Sequence, residues 1–161
     1  MIKKICLLAV LLNFSVVLAF SQAQQKKVLS DNDVKNYIKN YDKIQSVMET
    51  YSDEIESYVD PLETDSFKGA IKLKNAVVSK EMQNELSQLG LGNNAFEKVI
   101  VLMFGTSVIL IQQMMPAEAM EDEMEDEMMK EINAIKNAIN PDDLKMINKY
   151  SEDLMELMSF F

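Results

Sequence analysis

Histidine, arginine and tryptophan are absent from this 161-residue chain, which has one cysteine, three prolines and four glycines. Each absence closes off some chemistry. Without histidine, the side chain that titrates nearest neutral pH and the commonest metal ligand are both missing. A ferritin-like dimetal centre, which needs paired Glu-x-x-His motifs, is excluded with it. Without arginine there is no planar fork for bidentate recognition of phosphate or carboxylate, and all sixteen basic residues are lysines. No segment shows the period-2 alternation of a strand or an Asn-Gly or Asp-Gly hairpin turn.

The single cysteine, Cys6, sits in a stretch that reads as a secretory signal peptide over residues 1–23. Lys3 and Lys4 form a basic start, and Ile5 to Phe20 is apolar apart from Asn13 and Ser15. Ser21-Gln22-Ala23 then supplies the small residues that a signal peptidase requires. The apolar run is shorter than the ~20 residues of a comfortable membrane span. Cleavage is therefore expected after Ala23, with Ser21 as a second site. That leaves a mature domain of residues 24–161 in the periplasm or outside a bacterial cell. Cys6 is too far from the small residues to be the lipid-bearing cysteine of a lipoprotein. Its loss with the leader would leave no disulfide, thiolate metal site or thiol nucleophile.

What is present is acid and methionine. The formal charge of −10 becomes −12 once Lys3 and Lys4 are removed, since every acidic residue follows Ala23. That balance argues against nucleic acid and anionic membrane surfaces as partners.

Helical spacing dominates the remainder and predicts an all-α, single-domain bundle of about five helices, near 31–59, 65–89, 94–115, 117–139 and 141–160. Ser30 and Asp33 form a capping box for the first. Val34, Tyr37, Tyr41, Ile44, Met48, Tyr51, Ile55 and Tyr58 follow at alternating steps of three and four, a heptad seam on which the tyrosines are expected to pack with their hydroxyls at the rim. Gly90-Leu91-Gly92 stops the second helix. Lys74 extends that helix's apolar stripe, with its ammonium expected to reach water. Lysines early and acids late on both helices predict an antiparallel hairpin, with Lys39 and Lys43 beside Glu81 and Glu85.

Asn94 and Glu97 open the third helix, whose body from Val99 to Ile111 is apolar all round apart from Gly105, Thr106 and Ser107. An all-round apolar helix is either enclosed by others or spans a membrane. Enclosure is the reading adopted. A span over 99–117 would place Glu118, Glu121, Asp122 and Glu123 on the cytoplasmic side, where a lysine excess is expected. Membrane insertion remains the rival. Gly105-Thr106-Ser107 reads as a kink or a close helix crossing, and a crossing is preferred there to a ligand site. Asn140-Pro141-Asp142-Asp143 combines an N-cap, a first-turn proline and two acids at the start of the last helix.

The compositional anomaly is the segment from Met114 to Met129, which holds six methionines among carboxylates. Met120, Met124 and Met128 recur one turn apart. Their three thioethers suit Cu(I), which makes copper handling an alternative function. The same spacing continues through Ile132, Ile135 and Ile139 as an ordinary core stripe, and core packing is preferred. Methionine also suits adaptable recognition surfaces, so Met114, Met115, Met120, Met124 and Met128 are the partner-binding candidates. No serine or acid has a setting that marks it as catalytic. The expectation is a non-enzymatic, exported interaction module for a protein partner or small apolar ligand, with no cofactor.

Overall fold

The computed structural model describes residues 25–59, 67–114 and 123–158, the side chains at 67, 68, 114, 123–128, 131 and 158 excepted. The expected signal peptide and the expected cleavage positions lie outside the described residues. Among the described residues the regular structure is entirely helical. In order come α1 (Asp31–Lys39), α2 (Tyr41–Thr50), α3 (Ser52–Glu56), α4 (Phe67–Lys74), α5 (Lys80–Leu86), a π-helical turn (Ser87–Leu91), α6 (Ala95–Met114), α7 (Glu123–Ala138), α8 (Pro141–Lys149) and α9 (Ser151–Met158).

The all-α class stands, but the long first, second and last helices expected from spacing are each divided. Two of them are divided at joints of one kind. Asn40, Tyr51 and Tyr150 all adopt φ between −105° and −113° with ψ near 20°. Each joint residue's carbonyl starts the ladder of the next helix, as in Ile44 N to Asn40 O at 3.0 Å and Leu154 N to Tyr150 O at 3.0 Å. Each joint residue also reaches another element. Asn40 Nδ2 donates to Leu89 O at 3.0 Å, the Tyr51 hydroxyl to Glu85 at 2.8 Å and the Tyr150 hydroxyl to Asp31 at 2.6 Å. We attribute the bends to these cross-links, since a side chain drawn sideways tilts the turn that carries it.

The second expected helix breaks more fully at residues 75–79. Asn75 bonds back to Ile71 O at 2.9 Å, β-branched Val77 and Val78 follow, and Ser79 starts a new helix by accepting from Met82 N. Such local side-chain bonds compete with the helical ladder. Ser79 is itself held from outside, since its amide and hydroxyl both donate to Glu54.

The antiparallel order of the first two expected helices is present. Asn36 pairs with Gly90 O at 2.9 Å, Asn40 with Leu89, Tyr51 with Glu85 and Tyr58 with Val77 O at 2.5 Å, so one side ascends as the other descends. The expected fastening is different. Among the described residues no ion pair joins Lys39 or Lys43 to Glu81 or Glu85, and tyrosine and asparagine side chains make the crossings instead. Shape-specific neutral bonds hold the register where exposed pairs, worth under ~1 kcal/mol each, would have set only orientation.

α6 is the axis of the fold and packs against α1, α4, α5, α7, α8 and α9. Phe96, Val99, Ile100, Val101, Leu102, Val108 and Ile109 are buried on it. Around them lie Val34, Ile44, Met82, Leu86, Ile132, Ile135, Ile147 and Leu154, all buried. Full burial of each such aliphatic side chain is worth ~1.5–3 kcal/mol, so this shell supplies the main driving force. Gly105 lets α8 approach, because a Cβ there would overlap Ile147 Cδ1. The close crossing expected at Gly105 is present.

An extended strap, residues 25–30, ties the start of the described chain to its far end. Asp143, buried in the first turn of α8, accepts from Val28 N at 3.0 Å and Leu29 N at 2.9 Å. Asn140 caps α8 through Asp142 N at 2.8 Å, and its amide donates to Gln25 O. The Lys74 ammonium, expected in water, instead donates to Gln25 Oε1 at 2.9 Å and Ala138 O at 2.5 Å. It closes the strap onto α4 and the end of α7.

Candidate functional site

The enclosure of α6 is incomplete, and the gap is its most distinctive surface. Met103, Phe104, Ser107, Leu110 and Ile111 are only half-buried, whereas Val99, Ile100, Val101 and Leu102 are fully covered. Residues 103, 107 and 110 follow the four-then-three step of one helical face, and position 114 continues it. Gln112 and Gln113 beside them are exposed.

This face is positioned by a polar start and a close crossing. Gln83 Oε1, from α5, accepts from Phe96 N at 3.0 Å and so caps α6 from a neighbouring helix. Asn94, expected to be the cap, has φ 56° and donates to Glu97 at 3.5 Å. Lys98, one turn into α6, donates to Asp33 at 2.8 Å and to Leu91 O at 2.6 Å, locking α1 and the π turn to it. At Gly105 the contact with Ile147 draws α8 in, and α9 follows with Leu154 buried against the axis.

Between α1, α2, α6 and α9 this leaves a cavity of about 90 Å³, lined by Tyr37, Tyr41, Met103, Phe104, Thr106, Ser107 and Leu154. The Tyr37 and Tyr41 rings meet edge to face, with centroids 5.6 Å apart and planes at 74°. Thr106 Oγ1 and Ser107 Oγ turn inward along the helix, donating to Leu102 O at 2.7 Å and Met103 O at 3.0 Å. No charged side chain lines the cavity. Burial pushes the Tyr37 phenol well above its usual value, so it stays neutral and protonated.

The polar crevice beside the strap is the contrasting concavity. It includes Lys27, Ser30, Asp31, Asp33, Gly92 and Lys98, and both of its carboxylates accept from neighbouring cations. Asp33 accepts from Ser30 N at 2.8 Å, the Ser30 hydroxyl at 2.5 Å and Lys98. Asp31 accepts from Lys149 at 2.6 Å, Lys35 at 2.6 Å and Tyr150 at 2.6 Å, and these donors hold its carboxyl well below the usual range. Among the described residues no group of three or more potential acidic or thiolate ligands converges as a metal centre would require.

Of the residues that the sequence singles out, Met115 and Met120 lie outside the described residues. Met114, Met124 and Met128 are placed by backbone only. Positions 124 and 128 are in register with buried Ile132 and Ile135 on α7, the spacing expected of a core stripe. Position 114 continues the half-buried row of α6. At Tyr37, Tyr41, Thr106 and Ser107 of the cavity the sequence favours packing over ligand binding. Tyr37 and Tyr41 read as seam positions, and Met103 is one apolar residue within an apolar run. The available signal was the cluster of a thioether, a glycine and two hydroxyls, Met103 to Ser107, interrupting an otherwise aliphatic and aromatic helix.

No protein-family model, curated protein or solved structure matches the chain.

Proposed function

We propose that the chain is an exported, non-enzymatic binding module, and that it presents the half-buried face of α6 to an apolar partner segment or small apolar ligand. The observation that carries this reading is the uneven cover of α6. Every position from Val99 to Ile111 apart from Gly105, Thr106 and Ser107 would be at home in a core. Yet one face keeps Met103, Phe104, Leu110 and Ile111 partly in solvent. Apolar surface rimmed by polar residues marks recognition sites in soluble proteins. The exposed Gln112 and Gln113 form such a rim at one end. Methionine adds adaptability to the surface.

The membrane reading draws on the same helix, since Ala95–Gln113 is long and apolar enough to cross a bilayer. Just over half of that stretch is buried within the fold. Withdrawing it into lipid would uncover Val34, Ile135, Ile147 and Leu154 together, which favours the core role. Copper handling by Met120, Met124 and Met128 is the lesser reading, because positions 124 and 128 share the core register of α7.

The test is native mass spectrometry of the exported protein, wild type and Leu110→Glu, recovered from its own cell envelope without detergent. The reading expects a stoichiometric companion on the wild type and its loss from a variant that stays helical. A companion retained equally by both would refute the assignment to this face. Recovery only in detergent would instead support insertion.

A further inference from the structure

We propose that the cavity between α1, α6 and α9 binds one small neutral ring carrying a hydrogen-bond-accepting oxygen, which docks on the hydroxyl of Tyr37. The inference rests on the binding-module reading above and specifies the chemistry of the ligand.

Size comes first. A cavity needs only ~10–15 Å³ to admit a water, and an engineered cavity of ~150 Å³ binds benzene. Drug-sized ligands occupy pockets of ~300–1,000 Å³. At about 90 Å³ this cavity is smaller than the engineered one, and since Tyr41, Met103, Phe104 and Ser107 in its lining are only half-buried it can admit a single small ring at most.

The lining specifies a ring. Tyr37, Tyr41 and Phe104 offer aromatic edges and faces, which favour T-shaped or offset contacts worth ~0.5–1.5 kcal/mol beyond area burial. The Met103 thioether adds a polarizable contact that also favours aromatic edges. With no charged side chain in the lining, a charged ligand would lose its hydration without a partner.

The polar handle selects the oxygen. Thr106 and Ser107 already spend their hydroxyl protons on backbone carbonyls of α6. Tyr37 is 4% exposed, yet its hydroxyl has no hydrogen-bond partner among the described residues. No fully enclosed polar atom is left unpaired among those residues. The hydroxyl is therefore not sealed off, and on this proposal it faces the cavity that Tyr37 lines. A buried hydroxyl without an acceptor is costly, and a ligand oxygen would offset that cost better than a ring alone.

The probes are phenol, its oxygen-free isostere toluene, and benzoate as the charged control. They are titrated into the folded chain of residues 24–161 while the Met103 methyl resonance is followed by NMR. Phenol should shift the Met103 methyl saturably and bind about ten-fold tighter than toluene, the factor expected of one hydrogen bond. Benzoate should leave it unmoved. Tyr37→Phe should erase the preference for phenol while keeping toluene binding. Ser107→Leu, which grows a side chain into the cavity, should weaken both.

Toluene binding as tightly as phenol to the wild type would overturn the role of the hydroxyl, and that comparison stands even if Tyr37→Phe fails to fold. Absence of saturable phenol shifts up to tens of millimolar would overturn the site itself and leave the cavity to water. A companion still lost on Leu110→Glu would then show that the binding-module reading survives without the cavity. Loss of neither companion nor cavity binding in the respective variants would sink both.

Discussion

The two sides of α6 are built from different materials. Toward α4 and α7 it meets Ala70, Ile71, Ile135 and Ile139 across a seam with about 10 Å³ of free space. Toward α1 and α9 it meets Tyr37, Tyr41 and Leu154 across about 90 Å³. Apart from Lys74 and Phe104, which lines both sides, the closed side is small or β-branched aliphatic, with few rotamers and close interdigitation. The open side is aromatic, thioether and hydroxyl, with polar tips that demand partners and leave gaps between rings. The comparison teaches that one helix can serve as core and as surface, with the division set by side-chain shape and not by hydrophobicity.

If that division is real, truncation should be unequal. Ile135→Ala on α7, from a residue 2% exposed, should cost ~2–5 kcal/mol of unfolding free energy. Met103→Ala should cost under ~1.5 kcal/mol, because the half-buried side chain already borders open space and leaves no new enclosed cavity. Chemical denaturation measures both, and equal losses would break the comparison.

A smaller effect is expected at the crossing on the closed side. Gly105→Ala improves helix propensity by ~1 kcal/mol but places a Cβ against fully buried Ile147. Overpacking costs ~1–3 kcal/mol, so a net loss of up to ~2 kcal/mol is expected. A stabilised Gly105→Ala protein would mean that α8 is not held at this distance. On the open side Ser107→Leu fills space without enclosing anything new, so its stability change should stay within ~1 kcal/mol of zero.

The smallest effects are electrostatic and belong to the polar crevice. Lys149, Lys35 and Tyr150 hold the Asp31 carboxyl below its ordinary 3.8, so its contribution is present above that value and is lost as pH falls below it. Burial raises the Asp143 carboxyl despite the bonds from Val28 and Leu29. Its contribution therefore has the opposite sign, full below 3.8 and lost as pH rises through the folded value. Denaturation from about pH 3 to 6 separates them. Asp31→Asn should flatten the acid loss of stability, and Asp143→Asn should steepen it.

Local signals carried part of this fold into the sequence. The Ser30 capping box, the Asn140-Pro141 start and the glycine stop at Gly90 each depend on residues within a few positions, and all three are present. The Gly105 crossing was legible in part, because a glycine in an apolar helix suits either a kink or a close crossing. The joints at Asn40, Tyr51 and Tyr150 were not, because each depends on a partner far along the chain. The strap was hidden for the same reason: Asp143 reads as a first-turn acid, and its bonds to Val28 and Leu29 span 115 and 114 residues. The open face left no trace in periodicity, since a helix apolar all round gives no preferred side.

That face is the central claim, and the scarcity of cysteine makes it directly measurable. Cys6 apart, the chain has none, so single cysteines can be placed along α6 in the chain of residues 24–161 and their thiol-labelling rates compared. Labelling of the folded protein is predicted at Met103→Cys, Ser107→Cys and Leu110→Cys, and protection at Val99→Cys, Val101→Cys and Leu102→Cys. Uniform protection would mean that α6 is wholly enclosed, and uniform labelling that it is not the core; either result would contradict the division between its two sides.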